Sequence, residues 1–239
     1  LSAETMQLHK PNAYETTTEQ ALMERLLPLD NARILELGCG AAWTTRQLAA
    51  RYPASRFVAT EVDRVQHEKN LQLNLRNVDF RMEGAQAISE AENSIDIVWM
   101  LKSLHHVPAE LMPAAMREIH RVLKPGGLAY FSEPVYTGPF NALMSLIHDE
   151  KNVRQMAFSA IETEVSSGAF ELRQELFFEV PGTYTWDEFE SRFLKVTHTK
   201  LDIDEARHEQ IRSAFMAHMS ADEAHFLKPH RVDLLIKPI

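Results

Sequence analysis

Three short stretches gather the side chains that could do chemistry. LKSLHH (101–106) closes one apolar run with Lys102, His105 and His106. SEP (132–134) closes another with Glu133, and Tyr136 follows it. HDE (148–150) adds His148, Asp149 and Glu150. An imidazole titrates near pH 6.5, which suits a general base at neutral pH, so His105, Glu133 and His148 are the candidate catalytic groups. Lys102, Tyr136 and Glu150 are candidate substrate contacts, the lysine for an anionic group. His106 stands open between packing or cofactor support and chemistry. HDE falls in a segment of helical pattern, where neighbours point about 100° apart, so at most two of its three side chains face one ligand. No ligand-type spacing points to a metal, and none is expected.

A different chemistry is written in LELGCGAAW (35–43), where Gly38 and Gly40 follow an apolar run. Glycines at this place let the backbone come close to a ligand and take dihedrals other residues avoid. A nicotinamide loop needs a third glycine three residues after the second. That slot holds Trp43, and Glu36 has no role in such a loop. Whether Trp43 lines a site or packs beneath it stays open at this level.

These residues need elements to position them. The 239 residues are 45% hydrophobic, enough to bury a large core. Residues 16–27 pattern as an amphipathic helix ended by Pro28. Apolar runs then alternate with helical patterns: RILEL (33–37) before a helix at 44–52, RFVATEV (56–62) before one at 64–75, and VDFRM (78–82) before a short one. IDIVWML (95–101) precedes a helix at 113–123, KPGG (124–127) suits a turn, and LAYFSE (128–133) is the fifth run. Five strands separated by helices imply an α/β doubly wound, mostly parallel sheet covered on both faces. After Glu133 the rhythm changes. Residues 140–165 read as helix, 170–180 as strand, TWDE (185–188) as a capping box, 203–219 as helix and RVDLLIK (231–237) as a closing strand. Phe170, Phe177, Phe178 and Phe189 are expected to form the core of this extra layer. The division is a helical cap (1–29), a ligand-binding core (30–135), a substrate cover with an added strand (136–230) and a closing strand (231–239).

Composition narrows the partners. A formal charge of −9 without a Lys/Arg block repels a phosphate backbone, so nucleic acid is not expected. No run approaches the roughly 20 apolar residues of a membrane helix, and the polar N-terminal stretch lacks the layout of a signal peptide. The single cysteine, Cys39, excludes a disulfide within this sequence and fits a reducing, cytoplasmic setting. In a tight turn, its expected role is packing.

The motifs in order resemble those of class I S-adenosylmethionine-dependent methyltransferases, in the style of the type 11, small-molecule group. The resemblance covers roughly residues 30–135: ILELGCGAAW, FVATEVD, FRMEGAQAI, IDIVWMLKSLHHVP and REIHRVLKPGGLAYFSEP. It implies a Rossmann-like sheet of seven strands with a helical cover, S-adenosyl-L-methionine as methyl donor and S-adenosyl-L-homocysteine as product. Glu36, Gly38, Cys39 and Gly40 would then cradle the methionine end. Ala42 replaces the family's last glycine, which makes a positive φ there unfavourable. Glu61, with Val62 beside it, would take the ribose hydroxyls, and Asp63 is the alternative if the register slips. Gly84 and Ala85, or Glu83, would hold adenine, with Leu101 and His106 completing the site and Tyr14 folding over it. The acceptor is expected to be a small molecule, and the oligomeric state is not legible. Two other readings keep the same fold: an enzyme using an S-adenosylmethionine derivative for another group transfer, and a non-catalytic binding protein.

Overall fold

The computed structural model describes residues 6–195 and 203–239. One sheet organises the chain. Its strands are β1 (Tyr14–Thr16), β2 (Arg33–Leu37), β3 (Arg56–Thr60), β4 (Val78–Arg81), β5 (Ile95–Leu101), β6 (Leu123–Pro134), β7 (Glu171–Tyr184), β8 (Met219–Ser220) and β9 (Glu223–Ile236). The order across the sheet is β1-β7-β9-β6-β5-β2-β3-β4, with β8 paired to β9. Seven strands are substantial and two are short. From β6 through β4 all pairings are parallel, and β9 runs antiparallel to both β6 and β7.

Parallel strands covered on both faces need apolar residues at every position, as the burial of Ile34 to Leu37 and Phe57 to Thr60 illustrates. Successive side chains point to opposite faces, which divides the core in two. Ile34, Phe57, Ile97, Trp99 and Tyr130 meet Leu22 and Met23 of α1 (Glu19–Leu26) and Leu48 of α2 (Trp43–Arg51). Leu35, Val58, Val98, Met100 and Phe131 meet Ile119 of α4 (Met112–Val122) and Ile161 of α6 (Lys151–Ser166). Helix α3 (Arg64–Leu71) precedes β4, and α5 (Gly138–Ser145) precedes α6.

A separate aromatic cluster lies beyond the sheet. Leu143 of α5, Phe189 of α7 (Trp186–Phe189), Phe215 of α8 (Glu205–Met216), Tyr184 and Phe226 pack together there. The expected capping box is present at Thr185 and Glu188.

The structure corrects several boundaries. Helix α3 stops at Leu71, and residues 82–94 are turns, without the expected short helix. KPGG lies within β6, where pairing jumps from Leu123 opposite Ile95 to Leu128 opposite Ile97 and Gly126 takes φ +77°. The 140–165 helix is two helices, and HDE lies in the linker between them. Of the four phenylalanines, only Phe189 belongs to the extra cluster. Phe170 and Phe178 join the two main cores, and Phe177 packs on Tyr14. Residues 196–202 of the expected substrate cover lie outside the described residues, and the helix expected over 203–219 is α8, which runs from Glu205 to Met216. No described helix is long and apolar enough to cross a membrane.

Candidate functional site

Strand order reverses between β2 and β5, and ligands of open α/β sheets bind outside the carboxyl ends of the strands at such a point. The turn after β2 is built for close approach. Gly38, Gly40 and Ala42 have φ of +72°, +53° and +52°. A Cβ on Gly38 would sit 2.8 Å from the Ser103 Cβ, whereas one on Gly40 would meet nothing within 4 Å. Ala42 therefore keeps the left-handed geometry its methyl disfavours, at a cost of about 1–2 kcal/mol, correcting the sequence expectation. Asn70 Nδ2 donates to the Gly40 carbonyl at 2.7 Å and Cys39 N to the Thr60 carbonyl at 2.8 Å, fixing the turn.

A cavity of ≈ 600 Å³ opens from this turn. Gly38, Cys39 and Gly40 form one wall, with Glu61 and Val62 from the end of β3 beside them. Gly84 and Ala85 from after β4 and Leu101, Lys102 and His106 from after β5 complete it. Glu61 accepts from the backbone N–H groups of Gly40 (2.8 Å), Val62 (2.8 Å) and Asp63 (2.9 Å), so its carboxylate is held rigidly at the wall. Glu83 also lines the cavity. One of its oxygens accepts from Ser89 N at 3.2 Å, while Oε1 is buried without a partner among the described residues. A buried acceptor left unpaired costs about 1–3 kcal/mol, so a donor arriving in the cavity has a ready site. The glycine cradle, the held carboxylate and the orphaned oxygen together fit a nucleoside-bearing cofactor. Asp63 instead caps α3 by accepting from Gln66 N at 2.8 Å.

Other sequence candidates lie elsewhere. Tyr14 pairs beside Phe177 at the opposite edge of the sheet and does not line the cavity. Burial pushes the Glu36 carboxyl up to about 7 against the hydrogen bond from Thr45 Oγ1, and Glu36 lies behind the turn. Trp43 is 67% exposed with the Arg46 guanidinium over its ring, so it neither lines the cavity nor packs beneath it. Burial drives the Cys39 thiol far above its usual range, consistent with packing.

The histidine pair splits in two directions. His106 lines the cavity, and burial, then the neighbouring His105, lowers its pKa. His105 is buried: its Nδ1 donates to Glu133, whose other oxygen accepts from Leu104 N at 2.9 Å. The His105 Nε2 lies 3.8 Å from Glu150. Burial opposes ionisation of Glu150, but the Arg154 hydrogen bond at 2.6 Å and the His105 charge hold its pKa below the ordinary carboxylate range. His105, His106 and Glu150 offer ligand-type atoms within 4.8 Å of one another. Two of the three are already engaged, by Glu133 and by Arg154. His148 is exposed in the linker, and Tyr136, 37% exposed, faces neither this cavity nor the one next to it.

That neighbouring cavity, of ≈ 330 Å³, shares Lys102 with the first. Arg154, Arg192, Lys228 and His230 line it and carry no sequence signal, because they come from three distant segments with no motif to join them. Burial, then the Lys102 charge, pushes the His230 imidazole down to about 4. Its Nδ1 donates to the Lys228 carbonyl at 2.8 Å.

With this geometry in view, the family model described as "Methyltransferase domain" matches residues 34–127. The methyltransferase GfsG of Streptomyces halstedii is 28% identical over 56% of this chain and 49% of its own length. A malonyl-[acyl-carrier protein] O-methyltransferase of Gallionella capsiferriformans is 32% identical over 46% of this chain and 41% of its own. The chain thus matches half or less of the length of these relatives. Among solved structures, the YcgJ protein of Bacillus subtilis superposes with a TM-score of 0.65 at 19% identity, covering 92% of this chain and 98% of that one. This likeness establishes the fold.

Proposed function

We propose that the chain is a class I S-adenosylmethionine-dependent methyltransferase that transfers a methyl group to a small molecule in a reducing cytoplasmic setting, a reading supported by the methyltransferase-domain match over residues 34–127. S-adenosylmethionine, the cofactor of that family, supplies an electrophilic methyl on sulfur when bound. The observation that carries the reading is the cavity itself: the Gly38–Gly40 cradle, the fixed Glu61 carboxylate and the unpartnered Glu83 Oε1 converge at the switch point of the sheet.

In this reading Glu61 accepts from a ribose hydroxyl, since a carboxylate offers about four acceptor sites and backbone bonds fill three, leaving one. Glu83 accepts from the adenine amino group, with Gly84 and Ala85 against the base. In-line displacement asks the protein mainly to align the reacting atoms. Lys102 and His106 stand where the cavity continues toward the second one. His105 and Glu133 are then positioning residues, which hold the turn carrying His106 and do not meet the reacting atoms. The segment 136–230 supplies the acceptor side.

Calorimetry with S-adenosylhomocysteine tests the donor half: the expected result is one site of micromolar or tighter affinity. No binding at millimolar ligand overturns the reading.

A further inference from the structure

The chain carries nine net negative charges, yet the cavity beyond Lys102 is lined by Lys102, Arg154, Arg192 and Lys228 and, among the described residues, by no carboxylate. Two of these cations are neutralised: Lys102 by Glu19 at 3.2 Å, and Arg154 by Glu150 at 2.6 Å. The other two have no carboxylate within ion-pair distance among the described residues. The Lys228 ammonium donates to the neutral Tyr184 hydroxyl at 3.1 Å and lies 5.8 Å and 5.7 Å from the centres of the Phe140 and Tyr184 rings. The Arg192 guanidinium, exposed at the rim, stands 6.0 Å and 5.5 Å over Tyr184 and Phe193. Aromatic faces attract cations weakly and hold them in place without neutralising them. The result is a pair of uncompensated positive charges held over an apolar, aromatic floor.

We infer that this cavity is an acid-recognition subsite, taking a small molecule with an anionic head, carboxylate or phosphate, on an apolar or aromatic body. Lys228 binds the head from within, Arg192 closes over it from the rim, and the Phe140, Tyr184 and Phe193 rings receive the body. Its volume lies at the small end of the range for ligand pockets. Because Lys102 belongs to both cavities, a molecule seated here lies next to the cofactor cavity. That it is the methyl acceptor rests on the function proposed above; that the cavity binds organic anions does not.

The test is calorimetry on the whole protein with three matched probes: 3-phenylpropionate, phenyl phosphate and the neutral 3-phenylpropan-1-ol. At least one acid should bind tenfold or more tightly than the alcohol, and which acid is tighter identifies the head group. Lys228→Met and Arg192→Gln should each weaken that acid about tenfold while S-adenosylhomocysteine affinity stays unchanged. Arg192, at the exposed rim, keeps the test valid if the Lys228 variant fails to fold. The proposal is overturned if neither acid outbinds the alcohol, or if the folded variants bind the acids as wild type does. Acid binding without any S-adenosylhomocysteine binding would sink the methyl-transfer reading and leave the anion subsite standing.

Discussion

The cavity proposed for the cofactor is built on the ends of the parallel strands: the glycine turn, the Glu61 carboxylate held by backbone amides and the segment around Gly84. Its charged side chains are mostly acids, and it is assembled from the consecutive strand ends of residues 38–111. The cavity across Lys102 is its inverse, walled by long cationic side chains and aromatic rings drawn from residues 102–230. A site built on the turns after the parallel strands is constrained by the fold and tolerates little change. One made of side chains on an added layer is free to differ in charge and shape without disturbing the sheet. The first arrangement suits a fixed donor and the second a particular acceptor.

Substitutions at the turn should break this contrast most severely. Gly38→Val places a branched side chain at φ +72° against Ser103, and should destabilise the fold by about 2–4 kcal/mol and abolish S-adenosylhomocysteine binding. Urea unfolding and calorimetry read both effects, and a stable, binding-competent variant would show that the turn is not tightly built.

Each region also holds a buried titrating group, with opposite effects on stability. Folded Glu36, pushed to about 7 from 4.5, keeps a proton that the unfolded chain has released, so stability falls as pH rises through that window. Folded His230, pushed to about 4 from 6.5, lacks a proton that the unfolded chain holds, so stability rises with pH through its window. At about 1.4 kcal/mol per pH unit, each contributes at most roughly 3.5 kcal/mol, and the two oppose. Relative to wild type, Glu36→Gln should make the slope of stability between pH 5 and 6.5 more positive, and His230→Gln more negative. Denaturant titrations at several pH values check this; an unchanged slope in either variant contradicts the assigned protonation state.

Glu61→Ala should weaken S-adenosylhomocysteine by about 1–3 kcal/mol, the worth of charge-assisted hydrogen bonds, and leave 3-phenylpropionate binding intact. Equal loss of both ligands, read by paired titrations, would mean the cavities are one site. The smallest effect belongs to Ala42→Gly. Relief of about 1–2 kcal/mol of left-handed strain is offset by glycine's greater unfolded freedom, about 0.4–1 kcal/mol, and by a lost buried methyl, about 0.8 kcal/mol. The net change in unfolding free energy should stay under about 1 kcal/mol.

The same contrast explains what was legible in the sequence. RILEL and IDIVWML appear as β2 and β5 with unchanged bounds, because strands buried on both faces must be continuously apolar. The turn at Gly38 and Gly40 and the strand end at Glu61, which line one cavity, were readable because consecutive strand ends leave compact motifs. Lys228, Arg192 and His230 were not, since side chains meeting across distant segments leave no local pattern. Tyr14 misled because its three-residue strand is set by pairing with β7, a contact 163 residues away in sequence. HDE misled because the helical pattern around it belongs to two helices, with the triplet in the break.

The central claim is that donor and acceptor sit in two adjoining, separately built cavities. Titrating 3-phenylpropionate into protein saturated with S-adenosylhomocysteine tests it most directly. The account predicts that the acid still binds, with affinity equal to or greater than that for the free protein. Displacement of one ligand by the other would contradict it.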